Sequence, residues 1–274
     1  MHRSLWPDGV KTLEESLNVT NDRIRLEIES IVPTHAHIAD LGCGVGAGLF
    51  YIIPRLQKPA PAFGITISPV QAKLGAQFAK QAGMSDQILF VEGDFTSVPL
   101  ATETLDAIYS VEAVVHTREP EKYFQEVSRL LRPGGKLILV DDYQATRPLS
   151  HNETKWLKAY MDGWYVPGVM TVEQAVTFAE KNNLELIKND DLTPNLHLRS
   201  LPDLLARTLH FVGNHLPIKH AILPSMLGSM ALQQCLHRKV IEYRFLVFEK
   251  YNRWLSRHCS SAVSRPTNNK SAFG

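Results

Sequence analysis

A run of closely spaced glycines is the feature of this chain with the clearest chemical use. Gly42, Gly44, Gly46 and Gly48 alternate directly after residues 37–41, a short apolar segment that predicts a buried strand. Glycine lets the backbone turn tightly, lets a ligand come close to it and exposes the amides of a helix N-terminus. The pattern predicts a ligand-binding turn between a strand and a helix, although a plain tight turn uses the same residues.

Asp40 adds a charge to this turn. It lies two residues before Gly42, at the end of the predicted strand, where its carboxylate can meet the cationic amino acid group of a ligand. The next predicted strand, residues 62–67, ends without an acidic residue. Nicotinamide-dependent oxidoreductases usually hold a ribose with an acidic side chain at that point, so the sequence disfavours this enzyme class.

The apolar pattern predicts the elements that would position this turn. Apolar segments alternate with amphipathic ones, which indicates a parallel sheet with helices on both faces. Ligands bind beyond the carboxyl ends of such strands, so the residues after each strand matter most. We predict strands over residues 37–41, 62–67, 88–92, 105–110, 137–140, 184–187 and 242–249, helices over residues 13–31, 68–83, 121–131 and 172–181, a short helix ending near Tyr51, and an irregular helical stretch over residues 192–239.

Composition bounds the remaining possibilities. The 274 residues are 44% hydrophobic and 21% charged with a formal net charge of +1, so no global field favours nucleic acid or a membrane surface. The three cysteines are widely spaced, which fits a reducing cytoplasm and predicts neither a disulfide framework nor a metal site. With no signal-peptide pattern and no apolar run of about 18 residues, we expect no membrane span.

Four short segments resemble, in order, motifs of the class I S-adenosylmethionine-dependent methyltransferases. Residues 40–46 (DLGCGVG) resemble the first motif, residues 92–95 (EGDF) the adenine-binding turn and residues 130–137 (LLRPGGKL) the motif that leads into the fifth strand. Residues 64–71 (GITISPVQ) are similar to a narrower group: tocopherol methyltransferases, sterol C-methyltransferases, cyclopropane-forming fatty acid enzymes and many bacterial natural-product methyltransferases. The resemblance covers roughly residues 5–145.

This resemblance implies a Rossmann-like α/β fold. We expect a seven-stranded, mostly parallel sheet with helices on both faces and a helical cap inserted before the last strand. The implied organisation is one methyltransferase domain over residues 1–254 and a disordered tail over residues 255–274. Within the domain we expect an N-terminal helical lid (1–30), a cofactor-binding core (31–145) and an acceptor cap (146–240).

The resemblance also assigns cofactor residues by position. Asp40 and the glycine loop would hold the methionine end of S-adenosylmethionine, and Thr66 with Gln71 would replace the usual ribose carboxylate. Ile67 would pack on the adenine, and Asp94 would accept a hydrogen bond from its amino group. Residues 5–9, with Trp6, resemble an N-terminal segment that folds over the cofactor. The complete expected cofactor set is Asp40, Gly42, Cys43, Gly44, Gly46, Thr66, Ile67, Gln71, Asp94, Phe95 and Ser110.

Glu112 and His116 are the expected catalytic residues. They follow the fourth predicted strand, and sterol and tocopherol methyltransferases carry a similar Glu–Ala/Ser–x–x–His arrangement. On a helical turn, positions four apart share a face, so both side chains would face the acceptor. The carboxylate would stabilise a cation and the neutral imidazole would take a proton. Structural roles for both residues are the alternative.

The acceptor cap suggests a small, lipophilic substrate. Tyr160, Trp164 and Tyr165 would line its pocket, although ordinary packing explains aromatic residues equally well. A basic segment would suit an acceptor with an anionic end, and a solvated surface is the competing explanation. The basic residues are Arg199, Arg207, Lys219, Arg238, Lys239 and Arg244.

The resemblance favours C-methylation of an isoprenoid, sterol-like or other natural product over O- or N-methylation. Two alternative hypotheses on the function are a nicotinamide-dependent oxidoreductase and a non-catalytic binding module. A non-catalytic module would be expected to lose the loop glycines or Asp94, and both are present. The sequence leaves the acceptor's identity and the oligomeric state open.

Overall fold

The computed structural model describes residues 3–31, 36–198 and 223–251. Its strands form one seven-stranded sheet in the order β3-β2-β1-β4-β5-β7-β6. Strands β1 to β5 pair with one another in parallel, and β7 is antiparallel to both β5 and β6. The strands are β1 (Ile38–Leu41), β2 (Ala62–Thr66), β3 (Ile88–Glu92), β4 (Leu105–Val111), β5 (Leu131–Gln144), β6 (Leu184–Asp191) and β7 (Ile241–Lys250).

Helices cover both faces of this sheet, as the sequence predicted. Reciprocal capping boxes begin three of them, at Thr12, Ser150 and Thr171, each paired with the glutamate or glutamine three residues later. The α-helices of the described residues are α1 (Leu13–Glu29), α2 (Ala47–Ile52), α3 (Pro69–Gln81), α4 (Pro120–Leu130), α5 (His151–Trp164), α6 (Val172–Lys181) and α7 (Leu223–His237).

Three groups of buried apolar side chains hold the layers together. Helices α1 and α2 pack on one face of the sheet, where Ile24 and Ile28 are fully buried. Helices α4 and α6 pack on the other face through residues such as Phe124 and Ala179. The third group joins α5 to α7 above the end of the sheet, with Tyr160 among its members. The fold therefore fixes the carboxyl ends of the strands between two helical layers and a cap.

Two elements differ from the sequence predictions. Strand β5 was predicted over residues 137–140 but runs from Leu131 to Gln144, because β7 pairs with it continuously from Lys136 to Gln144. Asp141 and Asp142 thus lie inside a strand rather than after it. Helix α5 was not predicted, although Ser150 and Glu153 form the capping box that begins it.

The N-terminal helix also differs from expectation. Leu13 was predicted to lie on its apolar face but is 61% exposed. The buried side of the first two turns is polar, with Ser16 and Thr20 fully buried, and only the second half buries isoleucines. Since α1 packs on a sheet face, the residues before it, 3–6, are the ones that reach the carboxyl end of the sheet.

Some expectations fall outside the described residues. These include the tail over residues 255–274 and the basic residues Arg199, Arg207 and Lys219. Within the described ranges, the structure has no helix of sufficient length and apolarity to cross a bilayer.

The cap depends on one close helix crossing. Gly163 of α5 lies against Gly228 of α7, and a Cβ atom added at Gly163 would lie 2.5 Å from the Gly228 Cα and 2.7 Å from the Pro224 carbonyl oxygen. Backbone atoms cannot move aside as a flexible side chain can. Two glycines are therefore needed for the helices to approach this closely.

We predict that Gly163→Ala destabilises the protein by about 1–3 kcal/mol, the usual cost of overpacking a close contact. Gly168→Ala is the matched control, because a Cβ atom there meets nothing within 4 Å. Thermal unfolding of both variants measures the difference. Equal melting temperatures would contradict the close crossing.

Candidate active site and cofactor loop

The glycine loop joins β1 to α2 through left-handed backbone. Gly42 has a φ of 90°, and a Cβ atom added to it would lie 2.5 Å from the Cβ of Ala113, so no other residue fits this position. Gly44 has a φ of 58°, and a Cβ atom added to it would meet nothing within 4 Å. The loop is therefore tight on its inner side and faces open space at Gly44.

The loop amides are used differently from the sequence-based expectation. The amides of Gly42 and Cys43 both donate to the Ile65 carbonyl oxygen, at 2.9 and 3.0 Å, and the amide of Gly46 donates to the Cys43 carbonyl oxygen at 2.9 Å. Two of these bonds join the turn to β2 and the third closes the loop on itself, so none of the three amides is free to bind a ligand. At these positions the loop can offer a ligand a close backbone surface but no free amide donors.

Asp40 is a buried carboxylate at the end of β1, with 4% of its surface exposed. Burial raises the pKa of Asp40 to about 7, and the neighbouring Tyr109 hydroxyl offsets that rise only in part. A buried carboxylate is costly unless a positive charge or several hydrogen bonds accompany it. The end of β1 is thus an electrostatically unsatisfied position that favours a cationic ligand group.

The end of β2 combines a hydrogen-bonded pair with an exposed apolar side chain. The Thr66 hydroxyl donates to Gln71 Oε1 at 2.9 Å and accepts from the Ser68 amide at 3.3 Å. Ile67, between them, is 75% exposed. An isoleucine left this exposed beside the glycine loop is available to pack on a flat apolar ligand group.

Asp94 lies just after β3 and is exposed. Its Oδ1 atom accepts hydrogen bonds from both the amide and the hydroxyl of Thr96, each at 2.8 Å, which fixes the orientation of the carboxylate. Phe95 is partly buried and packs edge-on against Tyr123, with ring centroids 5.4 Å apart. The two residues lie at the same edge of the sheet as Ile67.

Two residues of the expected cofactor set have side chains that pack against other parts of the protein. Ser110 is 1% exposed, and its hydroxyl bonds to the Tyr123 hydroxyl at 2.7 Å beneath helix α4. The Cys43 side chain packs on β2, since a Cβ atom at Gly64 would lie 2.9 Å from its Sγ atom. Alternation along β4 turns the Ser110 side chain toward α4, which explains its position.

A cavity of about 460 Å³ opens beyond the ends of β4 and β5. Both expected catalytic residues lie in its wall. Of the three aromatic residues expected around the acceptor, Tyr160 and Trp164 line this cavity, whereas Tyr165 is 80% exposed and is absent from the lining. The described lining also includes Arg3, Val115, Asp141, Asp142, Leu196, His197, Leu232 and Leu236.

Glu112 and His116 share this cavity but not one helical turn. Glu112 has a φ of 51°, a left-handed conformation uncommon for glutamate, and the short 3₁₀ helix begins only at Val114. The Oε1 atom of Glu112 accepts from the Tyr243 hydroxyl at 2.8 Å and from the Arg3 amide at 3.1 Å. The prediction that one helical turn carries both residues was therefore wrong, although both side chains line the same cavity.

The electrostatics of the cavity favour a neutral imidazole. Partial burial lowers the pKa of His116, while the nearby charges of Asp142 and Glu112 act in the opposite direction. Burial also raises the pKa of Asp141 to about 7, helped by the charge of Asp142 and opposed by the amides of Val115 and Asp142. At neutral pH, His116 is thus able to accept a proton.

Several lining groups were missed by sequence reasoning. Asp142 binds both guanidinium nitrogens of Arg3, at 2.5 and 2.7 Å, and also accepts from the Tyr160 hydroxyl at 2.7 Å. Arg3 and Asp142 are far apart in the chain, and no local pattern joins them. Trp6 stacks on His197, with ring centroids 4.5 Å apart. Arg244 pairs with Glu242 on β7 instead of lining the cavity.

Comparison with known families agrees with this arrangement. Residues 39–139, which include the glycine loop, Asp94 and Glu112, match the model described as a methyltransferase domain. Residues 39–139 therefore correspond to a methyltransferase domain. Within the described residues no group of three or more His, Cys, Asp or Glu side chains is arranged to hold a metal ion.

Curated relatives include the tocopherol and sterol methyltransferases of the expected group. The probable chloroplastic tocopherol O-methyltransferase of rice (Oryza sativa subsp. japonica) is 30% identical over 72% of this chain and 57% of its own length. The sterol 24-C-methyltransferase of Aspergillus fumigatus is 28% identical over 57% of this chain and 41% of its own length. This chain therefore spans about half the length of the curated relatives it matches.

Solved structures share the fold over nearly the whole chain. A putative sarcosine dimethylglycine methyltransferase from Galdieria sulphuraria superposes with a TM-score of 0.73 at 18% identity, covering 91% of this chain and 93% of that one. A cyclopropane synthase from Mycobacterium tuberculosis superposes with a TM-score of 0.72 at 20% identity, covering 91% and 90%. These likenesses establish the fold.

We predict that Asp40→Asn stabilises the protein in a pH-dependent way. The folded pKa of Asp40, about 7, lies above the value of an exposed aspartate, so the wild-type carboxylate destabilises the fold increasingly as pH rises toward 7. Relative to wild type, the stability of the variant should increase from about pH 4 to pH 7 and then stay level.

Chemical denaturation across this pH range measures the difference. Asp86→Asn, at an exposed aspartate, corrects for the loss of one negative charge. A stability difference that does not change with pH would contradict the burial of an ionisable group at Asp40.

Proposed function

We propose that this chain transfers a methyl group from S-adenosylmethionine to a small, lipophilic acceptor, and that C-methylation of an isoprenoid or sterol-like molecule is the favoured reaction. The observation that carries this proposal is the cavity beyond the ends of β4 and β5, whose wall holds both Glu112 and His116. Similarity to tocopherol and sterol methyltransferases supports the lipophilic class of acceptor.

The residues of the loop fit S-adenosylmethionine by their chemistry. Asp40 is a buried carboxylate that lacks a cationic partner among the described residues, and an amino acid ammonium group would supply one. The open space at Gly44 leaves room for a ligand against the backbone. Ile67 offers an exposed apolar surface and Asp94 a fixed acceptor, which suit an adenine ring and its amino group. Ser110 and the Cys43 side chain are not part of this proposed site.

The bound sulfonium supplies a methyl group that is already activated, so the protein's own work is positioning and proton transfer. Glu112 places a fixed negative charge in the cavity, where it stabilises the cation left on an alkene acceptor after methylation. His116 takes the proton that this cation must lose. The aromatic rings of Tyr160 and Trp164 add a surface that favours positive charge.

The described residues of the cavity wall disfavour the anionic acceptor that the basic residues of the cap suggested. This wall carries the carboxyl groups of Glu112, Asp141 and Asp142, and Arg3 neutralises only one of them directly. An anionic end placed here meets repulsion, whereas a hydroxyl or an apolar chain does not. We propose a neutral acceptor. Oxygen methylation is the second candidate, because His116 alone can deprotonate a hydroxyl.

We predict that Gly44→Val abolishes binding of S-adenosylmethionine while the fold survives. The branched side chain would fill the open space on the ligand side of the loop. Gly134→Val is a matched control, because Gly134 also has positive φ and open surroundings but lies in β5, away from the loop. Both variants bear a similar backbone strain.

Isothermal calorimetry with S-adenosylmethionine, and circular dichroism of both variants, make this comparison. Binding at wild-type affinity in Gly44→Val would remove the cofactor site from this loop. Loss of binding in Gly134→Val as well would attribute the effect to strain.

We predict that Glu112→Gln and His116→Ala each lower methyl transfer by roughly a hundredfold, as expected for a positioned charge or base. The measurement is transfer from labelled S-adenosylmethionine to a tocopherol, a sterol and geranyl diphosphate, the last as an anionic isoprenoid. Glu121→Gln and His151→Ala, at exposed positions, are matched controls.

The pattern of results distinguishes the candidate reactions. Loss of activity in both variants supports C-methylation, while loss in His116→Ala alone supports O-methylation. Full activity in both variants would rule out the acid–base role. Transfer to geranyl diphosphate and to neither neutral acceptor would contradict the proposed neutrality.

A further inference from the structure

The first described residues of the chain form a strap over the acceptor cavity. Leu5 is fully buried and forms an antiparallel bridge with Leu196, and the Trp6 amide donates to the Asn195 carbonyl oxygen at 2.7 Å. The Trp6 ring stacks on His197. These contacts anchor residues 3–6 to the segment after β6, and they place Arg3 in the cavity wall.

Arg3 contacts the groups around Glu112 in three ways. Its backbone amide donates to Glu112 Oε1 at 3.1 Å. Its guanidinium makes two hydrogen bonds to Asp142 and lies over the ring of Tyr243, 4.6 Å from the centroid. The hydroxyl of that same tyrosine donates to the same Glu112 oxygen at 2.8 Å. Arg3 therefore supplies one hydrogen-bond donor to Glu112 Oε1 and packs on the tyrosine that supplies the other.

Arg3 is also the permanent cation of the described cavity wall. Glu112, Asp141 and Asp142 supply carboxyl groups to this wall, and no lysine or second arginine of the described residues lines it. Burial on its own would lower the pKa of Arg3, but the charge and hydrogen bonds of Asp142 raise it well above the ordinary value, with a smaller contribution from Glu112. The guanidinium therefore stays charged beside the site.

We propose that Arg3 is a positioning residue for the methyl-transfer site. It fixes the carboxylate of Glu112, and its charge offsets that of Asp142 so that His116 stays neutral and able to accept a proton. This inference rests on the proposed function for the roles of Glu112 and His116. The competing explanation is that Arg3 only ties the strap to β5 and leaves the chemistry unaffected.

The titration of His116 distinguishes these explanations. The described charged and titratable groups around its cavity are Glu112 after β4, Asp141 and Asp142 on β5, Tyr160 on α5, Tyr243 on β7, His197 after β6, and Arg3 on the strap. Removal of the Arg3 charge leaves the carboxylates less compensated, and negative charges favour the protonated imidazole. A purely structural tie would leave the His116 titration unchanged.

The variants are Arg3→Gln, which removes the charge, and Arg3→Lys, which keeps the charge but cannot make the bidentate pair of hydrogen bonds to Asp142. Arg23→Gln is the matched control. Arg23 likewise pairs with an aspartate, Asp190, and lies over an aromatic ring of β7, Phe245, but it does not line the cavity.

The experiment records the imidazole titration by NMR on histidine-labelled protein, with His116 assigned from the signal lost in His116→Gln. We expect Arg3→Gln to raise the His116 midpoint by about half a pH unit or more, and to lower transfer to the best acceptor of the panel by about tenfold or more. Arg3→Lys should restore most of the midpoint and part of the turnover. Arg23→Gln should change neither, and affinity for S-adenosylmethionine should be equal in all three variants.

Two results would overturn the proposal. One is an unchanged His116 midpoint in folded Arg3→Gln, whether or not turnover falls. The other is a raised midpoint with wild-type turnover, since the charge would then have no effect on the reaction. If the wild-type protein methylates nothing in the panel, the proposed function fails on that assay, while the titration still decides whether Arg3 sets the charge state of His116.

Discussion

Three neighbouring strands bring carboxyl groups to the same edge of the sheet. Burial of these groups is unfavourable, and the other residues of the site determine how far each one is compensated. Asp40 ends β1, Glu112 follows β4, and Asp141 and Asp142 lie near the end of β5. Ionised carboxylates in a water-poor interior are unfavourable unless cations or hydrogen bonds accompany them. The chain supplies these for Asp142 and Glu112 but leaves Asp40 and Asp141 with burial as the dominant influence on the pKa.

This imbalance gives the two halves of the site different characters. At Asp40 the missing partner is a positive charge, which under the proposed function a cationic cofactor would supply on binding. At Glu112 and Asp142 the partner is built in, because Arg3 brings a guanidinium from the N-terminal strap. Under the proposed function, the charges of Glu112 and Asp142 on the acceptor side are preorganised by the protein, while the ligand completes the cofactor side. Preorganised charge is the form of electrostatic stabilisation that costs no rearrangement during a reaction.

The local parts of this arrangement could be predicted from sequence. Strand β3 and helix α6 have their predicted bounds, and the glycine loop lies between β1 and α2 as expected. Such elements have periodic apolar residues, caps and turn glycines within a few positions of one another. Helix α5 carried the same kind of signal in its capping box at Ser150, which sequence reasoning overlooked.

The parts that could not be predicted depend on contacts between distant segments. Arg3 and Asp142 are separated by 139 positions, and Tyr243 reaches Glu112 from the last strand. Pairing with β7 extends β5 past its apolar residues, so Asp142 lies within a strand although its own sequence suggested a strand end. The left-handed backbone at Glu112 could not be predicted either, because the residue there is not glycine or asparagine, the types that usually adopt this conformation.

Proton release on cofactor binding tests the central claim most directly, that an unsatisfied carboxyl group at Asp40 receives the cationic end of S-adenosylmethionine. Calorimetric titration at about pH 6.5 in buffers of different ionisation enthalpy measures the protons exchanged, because binding a cation lowers the pKa of the carboxyl group. With a pKa of about 7 before binding, Asp40 should release a large fraction of one proton, and Asp40→Asn should release none from this position. Equal proton release by the wild type and Asp40→Asn, or none by either, would contradict the claim.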